Sequence, residues 1–159
     1  MIAVGSKIPS VSIKQATPEG GTDVDPAALF AGKKVVMFSL PGAFTPTCSQ
    51  KHLPGYIKEL PALRAKGVDI VACLSVNDAW VMKAWAEAHD ALGKIVMLAD
   101  GNGEFTRAMG LDVDLSIAGL GSRSQRYAAI LDDGVITSLD VEPNPGVVVS
   151  KCENILAKV

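Results

Sequence analysis

The sequence predicts an α/β fold with a central mixed sheet flanked by helices, and three observations support this class. Beyond residue 33, short apolar runs rich in β-forming residues alternate with segments of helical periodicity. The composition is that of a globular chain, with 48% hydrophobic and 20% charged residues. The length of 159 residues corresponds to about one domain. We therefore expect residues 1–159 to form a single domain.

The predicted strands are short apolar runs between turn residues. Three of them have the composition of buried central strands: residues 35–40, 68–76 and 95–98. Residues 127–131 and 135–141 are predicted to form a hairpin, because the intervening residues 132–134, Asp-Asp-Gly, tolerate positive φ. The polar stretch 17–26 is interpreted as a surface loop.

Helical periodicity is present in two long segments. Residues 48–66 are compatible with a helix, which Pro54 and Pro61 should kink or divide. A second helix follows a cap at Asn77 or Asp78. Its predicted buried stripe comprises five apolar residues: Trp80, Val81, Ala84, Trp85 and Ala88.

Two shorter helices complete the predicted order of elements. Residues 103–109 form one, which ends before Gly110. The other begins near residue 151, where Ser150 and Glu153 form a capping-box pattern. The resulting order, βαβαβα followed by a β-hairpin and a helix, resembles the thioredoxin-like fold, although a fold alone does not specify a function.

Composition and charge exclude several classes of partner. A net charge of -2 and a pI of about 5.6 leave no basic face for nucleic acid. No apolar run approaches the ~20 residues that cross a bilayer, so we expect no membrane partner. The first residues lack a secretory signal, and the three cysteines are too widely spaced for a disulfide framework. We therefore expect a cytoplasmic protein with reduced thiols, whose partners are small molecules or other proteins.

Cys48 is the leading candidate for a reactive residue. Residues 41–48 leave a predicted buried strand and turn into a helix, which puts Cys48 in or beside its first turn. Free backbone N–H groups and the helix dipole favour the thiolate there, and the thiolate is the nucleophile. The alternative is that Cys48 is a small buried hydrophobic residue.

Thr45 and two arginines are candidates for assisting such a thiolate. A dithiol exchanger would carry Cys-x-x-Cys across this turn, but Thr45 replaces the first cysteine, and its hydroxyl suits a small oxygen compound better than a disulfide. Thr45 is alternatively an ordinary helix cap. Arg126, at the start of a predicted strand, could stabilise the thiolate and hold substrate oxygens. Arg123 competes for that role, and either arginine could be solvated at the surface.

His52 follows Cys48 by four residues on the predicted helix, a spacing open to two other functions. The pair could be the nucleophile and base of a Cys-His hydrolase, although no third orienting residue is evident. It could also ligate a metal, but the remaining candidates, His89, Cys73 and Cys152, lack paired spacing. We therefore expect no bound metal.

The motif around Cys48 carries a family resemblance that covers nearly the whole chain. Residues 41–49, Pro-Gly-Ala-Phe-Thr-Pro-Thr-Cys-Ser, resemble the peroxidatic loop Pro-x-x-x-Thr-x-x-Cys of the type II peroxiredoxins, also called the peroxiredoxin-5 group. Four further segments occur in the family's order: residues 52–55, 75–82, 100–105 and 123–127. The resemblance implies a thioredoxin-like thiol peroxidase that reduces hydrogen peroxide and alkyl hydroperoxides without a metal, haem or flavin cofactor. It also selects Arg126, which precedes an aromatic residue, over Arg123, which is left an assisting role.

The resemblance implies a role for each residue that matches the motif. Cys48 would be the peroxidatic cysteine, whose thiolate attacks the terminal peroxide oxygen and becomes a sulfenic acid. Thr45 and Arg126 would activate it and orient the peroxide, together with the backbone N–H groups of Thr47 and Cys48. Pro41 would shield the pocket.

The resemblance leaves the recycling thiol open, because the family includes members with an internal resolving cysteine and members served by glutathione, glutaredoxin or thioredoxin. Cys73 lies in a predicted buried strand and Cys152 on the apolar stripe of the last helix, so both are interpreted as structural. Members with an internal partner carry it in the loop before that helix, where residues 143–150 contain no cysteine. We therefore expect a one-cysteine cycle served by glutathione and glutaredoxin, in a homodimer as the family implies. A redox-sensing or chaperone-like binding protein is the alternative from another class.

Overall fold

A seven-stranded sheet forms the centre of the computed structural model, which describes residues 1–159. The strands in chain order are β1 (Ile13–Thr17), β2 (Gly20–Val24), β3 (Lys34–Ser39), β4 (Ile70–Ser75), β5 (Val96–Ala99), β6 (Asp112–Asp114), β7 (Ser122–Ser124), β8 (Tyr127–Asp132) and β9 (Val135–Val141). The order across the sheet is β2-β1-β5-β4-β3-β8-β9, and β6 pairs only with β7. The three central strands β3, β4 and β5 are parallel, whereas every other pairing is antiparallel. The predicted central mixed sheet is therefore confirmed.

The helices are short and several follow proline or an acidic cap. They are α1 (Pro26–Leu29), α2 (Leu53–Lys58), α3 (Leu60–Ala65), α4 (Ala79–Ala88), α5 (Glu104–Ala108) and α6 (Cys152–Leu156), with a π-helical turn over Cys48–His52 and a 3₁₀ turn over Ser116–Ala118. Pro54 and Pro61 divide the predicted helix 48–66, as expected, because each lies in the first turn of a new helix where no N–H donor is needed. Asp78 caps α4 by accepting from the N–H of Val81 at 2.8 Å. None of the helices has both the length and the apolar character required to span a bilayer.

Apolar side chains pack on both faces of the sheet, so the central strands are hydrophobic throughout. On one face, Val36 and Phe38 of β3 pack in a cluster with residues of α2, α3, α4 and α6. On the other face, the alternate residues Val35 and Met37 pack with residues of α1 and α5. This alternation follows from the period of two along a strand.

The carboxyl ends of the parallel strands place three loops at one edge of the sheet. β3, β4 and β5 are followed by residues 40–47, 76–78 and 100–103 respectively. Ligands in open α/β sheets bind outside these ends. The loop after β3 leads directly into the π-helical turn that begins with Cys48.

Two sequence predictions are wrong about surface segments. Residues 17–26 do not form a loop, because β1 and β2 make a hairpin there and β2 is the exposed edge strand of the sheet. The polar residues of β2 face solvent, so the strand has no apolar alternation. The structure also has an unpredicted small sheet, β6 with β7, in which Val113 pairs with Arg123.

The predicted buried stripe of α4 is only partly correct. Trp85 is buried as predicted, but Trp80 is 75% exposed, and the other buried residues are Ala79, Met82 and Ala86. Ala79 packs against Gly21 of β2, where a Cβ atom would lie only 2.8 Å from the Cβ of Ala79. This close approach of α4 to the hairpin turns Trp80 outward.

The predicted capping box before α6 is wrong. The helix begins one residue later, and no side chain caps its N-terminus. The Ser150 hydroxyl donates to the Glu142 carboxylate at 2.8 Å, so a carboxylate in the preceding segment binds Ser150. A charged acceptor of this kind makes a stronger hydrogen bond than a neutral one.

Candidate active site

Cys48 is a buried residue at the start of a helical segment. Its side chain is 1% exposed, and its residue opens the π-helical turn that continues into α2. The first turn of a helix presents backbone N–H groups without intrahelical acceptors, and Thr47 and Cys48 lie in that turn. A developing negative charge near the sulfur is therefore stabilised by the backbone.

Arg126 is the charged residue in contact with the sulfur. Its Nη2 atom donates to Cys48 Sγ at 3.0 Å. Arg126 immediately precedes β8, and the first residue of β8, Tyr127, pairs with Ser39 at the end of β3. The guanidinium is always protonated and is less strongly hydrated than an ammonium, so it can remain charged in this partly buried site.

Arg123 has a different set of partners. Its Nε atom donates to the Leu120 carbonyl at 2.9 Å and its Nη1 atom to the Pro41 carbonyl at 3.2 Å. A Cβ atom on Gly42 would lie 2.9 Å from Arg123 Nη1, so the arginine packs closely on this loop. Arg123 thus holds the backbone of the loop before Cys48, whereas Arg126 contacts the sulfur.

Thr45 is fixed within the same loop. Its hydroxyl donates to the Gly42 carbonyl at 2.7 Å, and its own carbonyl accepts from the Ser49 N–H at 3.0 Å. Because the hydroxyl proton is engaged by Gly42, the oxygen retains lone pairs that can accept a hydrogen bond from a substrate. Pro41 and Thr45 are both half-buried.

Asn77 braces the loop and was not singled out by the sequence analysis as a site residue. Its Oδ1 atom accepts from the Ala43 N–H at 3.0 Å and from the Ser75 hydroxyl at 2.7 Å. Phe44 follows with a φ of 63° and a side chain that is 56% exposed. A left-handed conformation is costly for a bulky residue and persists where neighbouring contacts impose it. The sequence held one signal for this role: Asn77 directly follows the predicted buried strand 68–76.

His52 makes its hydrogen bonds to Arg126 and to the Ser150 carbonyl, and none to Cys48. Its Nδ1 atom lies 2.9 Å from Arg126 Nη1, and its Nε2 atom lies 3.2 Å from the Ser150 carbonyl oxygen. Burial, and then the charge of Arg126, lower the pKa of His52 from 6.5 to about 3. A nucleophile and base pair of the hydrolase type is therefore not formed. The sequence analysis did not predict that Ser150, and Glu142 bound to it, lie next to His52, because no local pattern links that segment to Cys48.

The other two cysteines are buried without comparable partners. Cys73 lies in β4, where it pairs with Phe38 of β3 and Met97 of β5. Burial, and then the proximity of Cys48, raise the pKa of Cys73 well above its usual value. Burial, followed by Glu153 and Glu59, raises the pKa of Cys152 to about 12. No group of three His, Cys, Asp or Glu side chains is arranged to hold a metal ion.

Comparison with known proteins assigns the chain to a family. The family model described as Redoxin matches residues 3–156. Rice chloroplastic Peroxiredoxin-2E-2 (Oryza sativa subsp. japonica) is 50% identical over 161 residues, which cover 98% of this chain and 71% of that protein. Chloroplastic Peroxiredoxin-2E of Arabidopsis thaliana is 45% identical over 159 residues, covering 98% and 68% respectively. The cytoplasmic location expected from the sequence is therefore wrong, because these similar proteins are chloroplastic.

A solved structure supports the same assignment. Reduced Prx3 from Vibrio vulnificus, crystallised in complex with hydrogen peroxide, is 54% identical to this chain and matches it with a TM-score of 0.95, covering 99% of both chains. The thioredoxin-like fold expected from the order of elements is thus confirmed. The chain belongs to the Redoxin family and is a type II peroxiredoxin, a thiol peroxidase that reduces peroxide with electrons from thiols.

Proposed function

We propose that Cys48 is the peroxidatic cysteine of this enzyme and that it reduces hydrogen peroxide and alkyl hydroperoxides. The observation that carries the proposal is the 3.0 Å hydrogen bond from Arg126 to the buried Cys48 sulfur. Cys48 is the one cysteine of the three that accepts a hydrogen bond from a cationic side chain. Cys73 and Cys152 have no such hydrogen bond.

The proposed reaction is a displacement at the terminal peroxide oxygen. The Cys48 thiolate attacks that oxygen, an S–O bond forms, and the O–O bond breaks. The leaving alkoxide or hydroxide takes up one proton and departs as an alcohol or water, while Cys48 becomes a sulfenic acid. Two electrons have then passed from sulfur to the peroxide.

Each neighbouring residue has a proposed part in that step. Arg126 and the N–H groups of Thr47 and Cys48 stabilise charge on the reacting oxygens. Thr45 accepts a hydrogen bond from the peroxide, because its own proton is bound to the Gly42 carbonyl. Pro41 shields the pocket from water.

Intact mass spectrometry tests the assignment of Cys48. The fully reduced protein is treated with one equivalent of hydrogen peroxide in the absence of any other thiol, beside a Cys48→Ser control. We expect the wild-type protein to change mass and the control to remain unchanged. A mass change that survives in the control would contradict the proposal, as would the absence of any change in the wild-type protein.

We further propose that an external thiol, glutathione with glutaredoxin, recycles Cys48. The raised pKa values of the buried Cys73 and Cys152 thiols support this choice, because a protonated thiol is a poor nucleophile. Glutathione would attack the sulfenic acid to give a mixed disulfide and water. A second thiol then attacks the glutathione sulfur, which regenerates the Cys48 thiol and produces a disulfide.

The same mass measurement separates this cycle from the alternative. A gain of one oxygen atom supports an external reductant, whereas a loss of two hydrogen atoms without a covalent dimer indicates an internal disulfide to Cys152 or Cys73 that thioredoxin would reduce. Steady turnover with glutathione and glutaredoxin supports the proposal directly. Oxidation of Cys48 without turnover on either reductant would instead favour a redox-sensing protein.

A homodimer is the oligomeric state that we propose. Six large apolar side chains are exposed at the surface, among them Phe44, Trp80 and Ile117, with exposed fractions of 56%, 75% and 100%. Large exposed apolar groups are common at protein interfaces. Sedimentation equilibrium should give twice the chain mass, and a Phe44→Asp variant should shift it towards the monomer. A monomeric wild-type protein would contradict the proposal.

We also propose that residues 1–159 unfold as one domain. Support comes from the central sheet, whose strands span residues 13–141 of the chain. A single cooperative transition in urea, coincident by tryptophan fluorescence and circular dichroism, is the expected result. Two separated transitions would contradict it.

A further inference from the structure

Arg126 is bound at two of its nitrogen atoms by different partners. Nη2 donates to the Cys48 sulfur at 3.0 Å, and Nη1 donates to His52 Nδ1 at 2.9 Å. A guanidinium is planar and rigid, so the direction of one N–H group determines the direction of the other. The contact with His52 therefore sets the angle at which Arg126 meets Cys48.

The hydrogen bonds of His52 are compatible with one form of the imidazole ring. Arg126 has only donors, so Nδ1 of His52 must be an unprotonated acceptor. The Ser150 carbonyl has only an acceptor, so Nε2 must carry the proton that it donates over 3.2 Å. The ring is therefore neutral, which agrees with the burial that, with Arg126, lowers the pKa of His52 to about 3.

The segment after β9 holds His52 through Ser150. The Ser150 carbonyl also accepts from the Tyr56 hydroxyl at 2.7 Å. The Ser150 N–H and hydroxyl both donate to Glu142 Oε1 at 2.8 Å. The Glu142 N–H in turn donates to the Arg126 carbonyl at 2.9 Å. Arg126, His52, Ser150 and Glu142 thus form a closed ring of hydrogen bonds that begins and ends at the arginine.

We propose that His52 is a positioning residue, which holds Arg126 against Cys48, and that Glu142 positions His52 through Ser150. This inference rests on the proposed role of Cys48 as the peroxidatic cysteine. His52 makes no hydrogen bond to the sulfur, and its proposed effect on the reaction passes through the arginine. The ring makes the rate of peroxide reduction depend on a segment more than ninety residues away from Cys48 in sequence.

Two substitutions of His52 separate positioning from packing. His52→Asn puts an amide oxygen near the place of Nδ1 and can still accept from Arg126, whereas His52→Leu fills similar space without an acceptor. The measured quantity is the second-order rate constant for oxidation of the reduced protein by hydrogen peroxide. We expect a loss of roughly 10- to 100-fold for His52→Leu, since small misplacements cost this much, and a clearly smaller loss for His52→Asn.

A matched control and a second variant keep the test decisive. His89→Asn makes the same change at the other histidine, which packs edge-on against Trp85, and should leave the rate unchanged. Glu142→Ala alters a half-buried residue outside the central sheet, so it can be assayed even if the His52 variants do not fold. We expect Glu142→Ala to lower the rate several-fold. Unchanged rates in Glu142→Ala, or equal losses in the two His52 variants, would overturn the inference.

A spectroscopic measurement tests the ring directly. Long-range proton-nitrogen spectra of the labelled protein distinguish a neutral imidazole protonated at Nε2 from the other tautomer and from the imidazolium. We expect the Nε2–H form of His52 at neutral pH, and either other form would overturn the inference. If the wild-type protein showed no Cys48-dependent reaction with peroxide, both the proposed function and the positioning role would be wrong. Normal Cys48 oxidation with unaffected His52 and Glu142 variants would remove only the positioning role.

Discussion

Cys48 and Cys73 occupy neighbouring places in the same apolar cluster, yet their surroundings differ in one respect. Both side chains are almost fully buried, with exposed fractions of 1% and 0%. Cys48 accepts a hydrogen bond from Arg126, whereas the surroundings of Cys73 raise its pKa well above the usual value, with burial as the main cause. Burial alone thus favours an inert thiol. A hydrogen bond from a single oriented guanidinium distinguishes the cysteine that we propose as peroxidatic from the other buried thiol.

Cys152 extends the comparison to a third environment. It is the buried first residue of α6, and acidic neighbours add to the burial that raises its pKa to about 12. The charges around the buried cysteines therefore differ in sign. Positive charge lies beside Cys48, and negative charge lies near Cys152.

The largest expected effect contrasts the three thiols directly. Cys48→Ser should reduce peroxidase turnover to the background of the coupled assay, because a serine hydroxyl at neutral pH is not an effective nucleophile for peroxide. Cys73→Ser and Cys152→Ser should retain turnover with glutathione and glutaredoxin within a few-fold. Loss of turnover in either of these variants, in protein that remains folded, would break the comparison and indicate an internal resolving cysteine.

The next largest effect tests whether the shape of the Arg126 guanidinium matters in addition to its positive charge. Arg126→Lys keeps a positive charge but cannot bind Cys48 and His52 with one planar group, so we expect a fall of roughly 10²- to 10³-fold in the rate of Cys48 oxidation. Arg123→Lys should have a much smaller effect, because Arg123 binds the backbone of the loop. Stopped-flow kinetics on reduced protein measures both. Equal losses in the two variants would contradict the assignment.

The third effect is a dependence of stability on acid. Folded His52 has a pKa of about 3 and the unfolded value is 6.5, so the unfolded chain binds more protons between these values. The free energy of unfolding should therefore fall as the pH drops below about 6.5, by roughly 1 kcal/mol for each pH unit. His52→Asn lacks the titrating ring and should show a shallower slope. Urea unfolding at several pH values measures the slopes, and equal slopes would exclude a buried neutral histidine.

The smallest effect concerns alkaline stability. The pKa of Cys152 rises from 9.0 to about 12 on folding, so the folded protein keeps a proton that the unfolded chain releases. Stability should decrease as the pH rises above about 9, by up to about 1 kcal/mol near pH 10. Cys152→Ala removes the part of this dependence that Cys152 contributes, while the buried Cys73 still contributes its own. Urea unfolding at mildly alkaline pH should show a weaker dependence of the free energy of unfolding on pH for the variant. An equal dependence in the two proteins would contradict the raised pKa of Cys152.

The central part of the fold follows from local sequence patterns, and the edges do not. β3 and β4 were predictable because continuous apolar runs can be satisfied only in a sheet covered on both faces. The hairpin of β1 and β2 was not, because an edge strand that faces solvent needs no apolar alternation. Trp80 was misplaced for a related reason. Its orientation depends on the contact of Ala79 with Gly21, which joins two distant segments.

The site divides in the same way. The placement of Cys48 and Thr45 in one loop was predictable because one short motif combines a strand end, a turn and a helix start. Spacing alone could not decide between Arg126 and Arg123, since the choice depends on which residue the pairing of β8 with β3 directs to the sulfur. The bonds of His52 to Arg126 and Ser150 were also beyond prediction. These bonds join three separate segments of the chain, and the pattern of residues within one segment does not indicate contacts with another.

The pairing of Tyr127 with Ser39 also bears on how the enzyme is made. Arg126 reaches Cys48 only after β8 has docked on β3, and contacts between such distant segments form late in folding because closing a long loop costs entropy. A growing chain on the ribosome exposes the cysteine long before it contains the arginine. Until synthesis passes residue 126, the sulfur lacks the arginine that we propose activates it. We therefore expect the thiol of the nascent chain to react with peroxide more slowly than that of the folded protein.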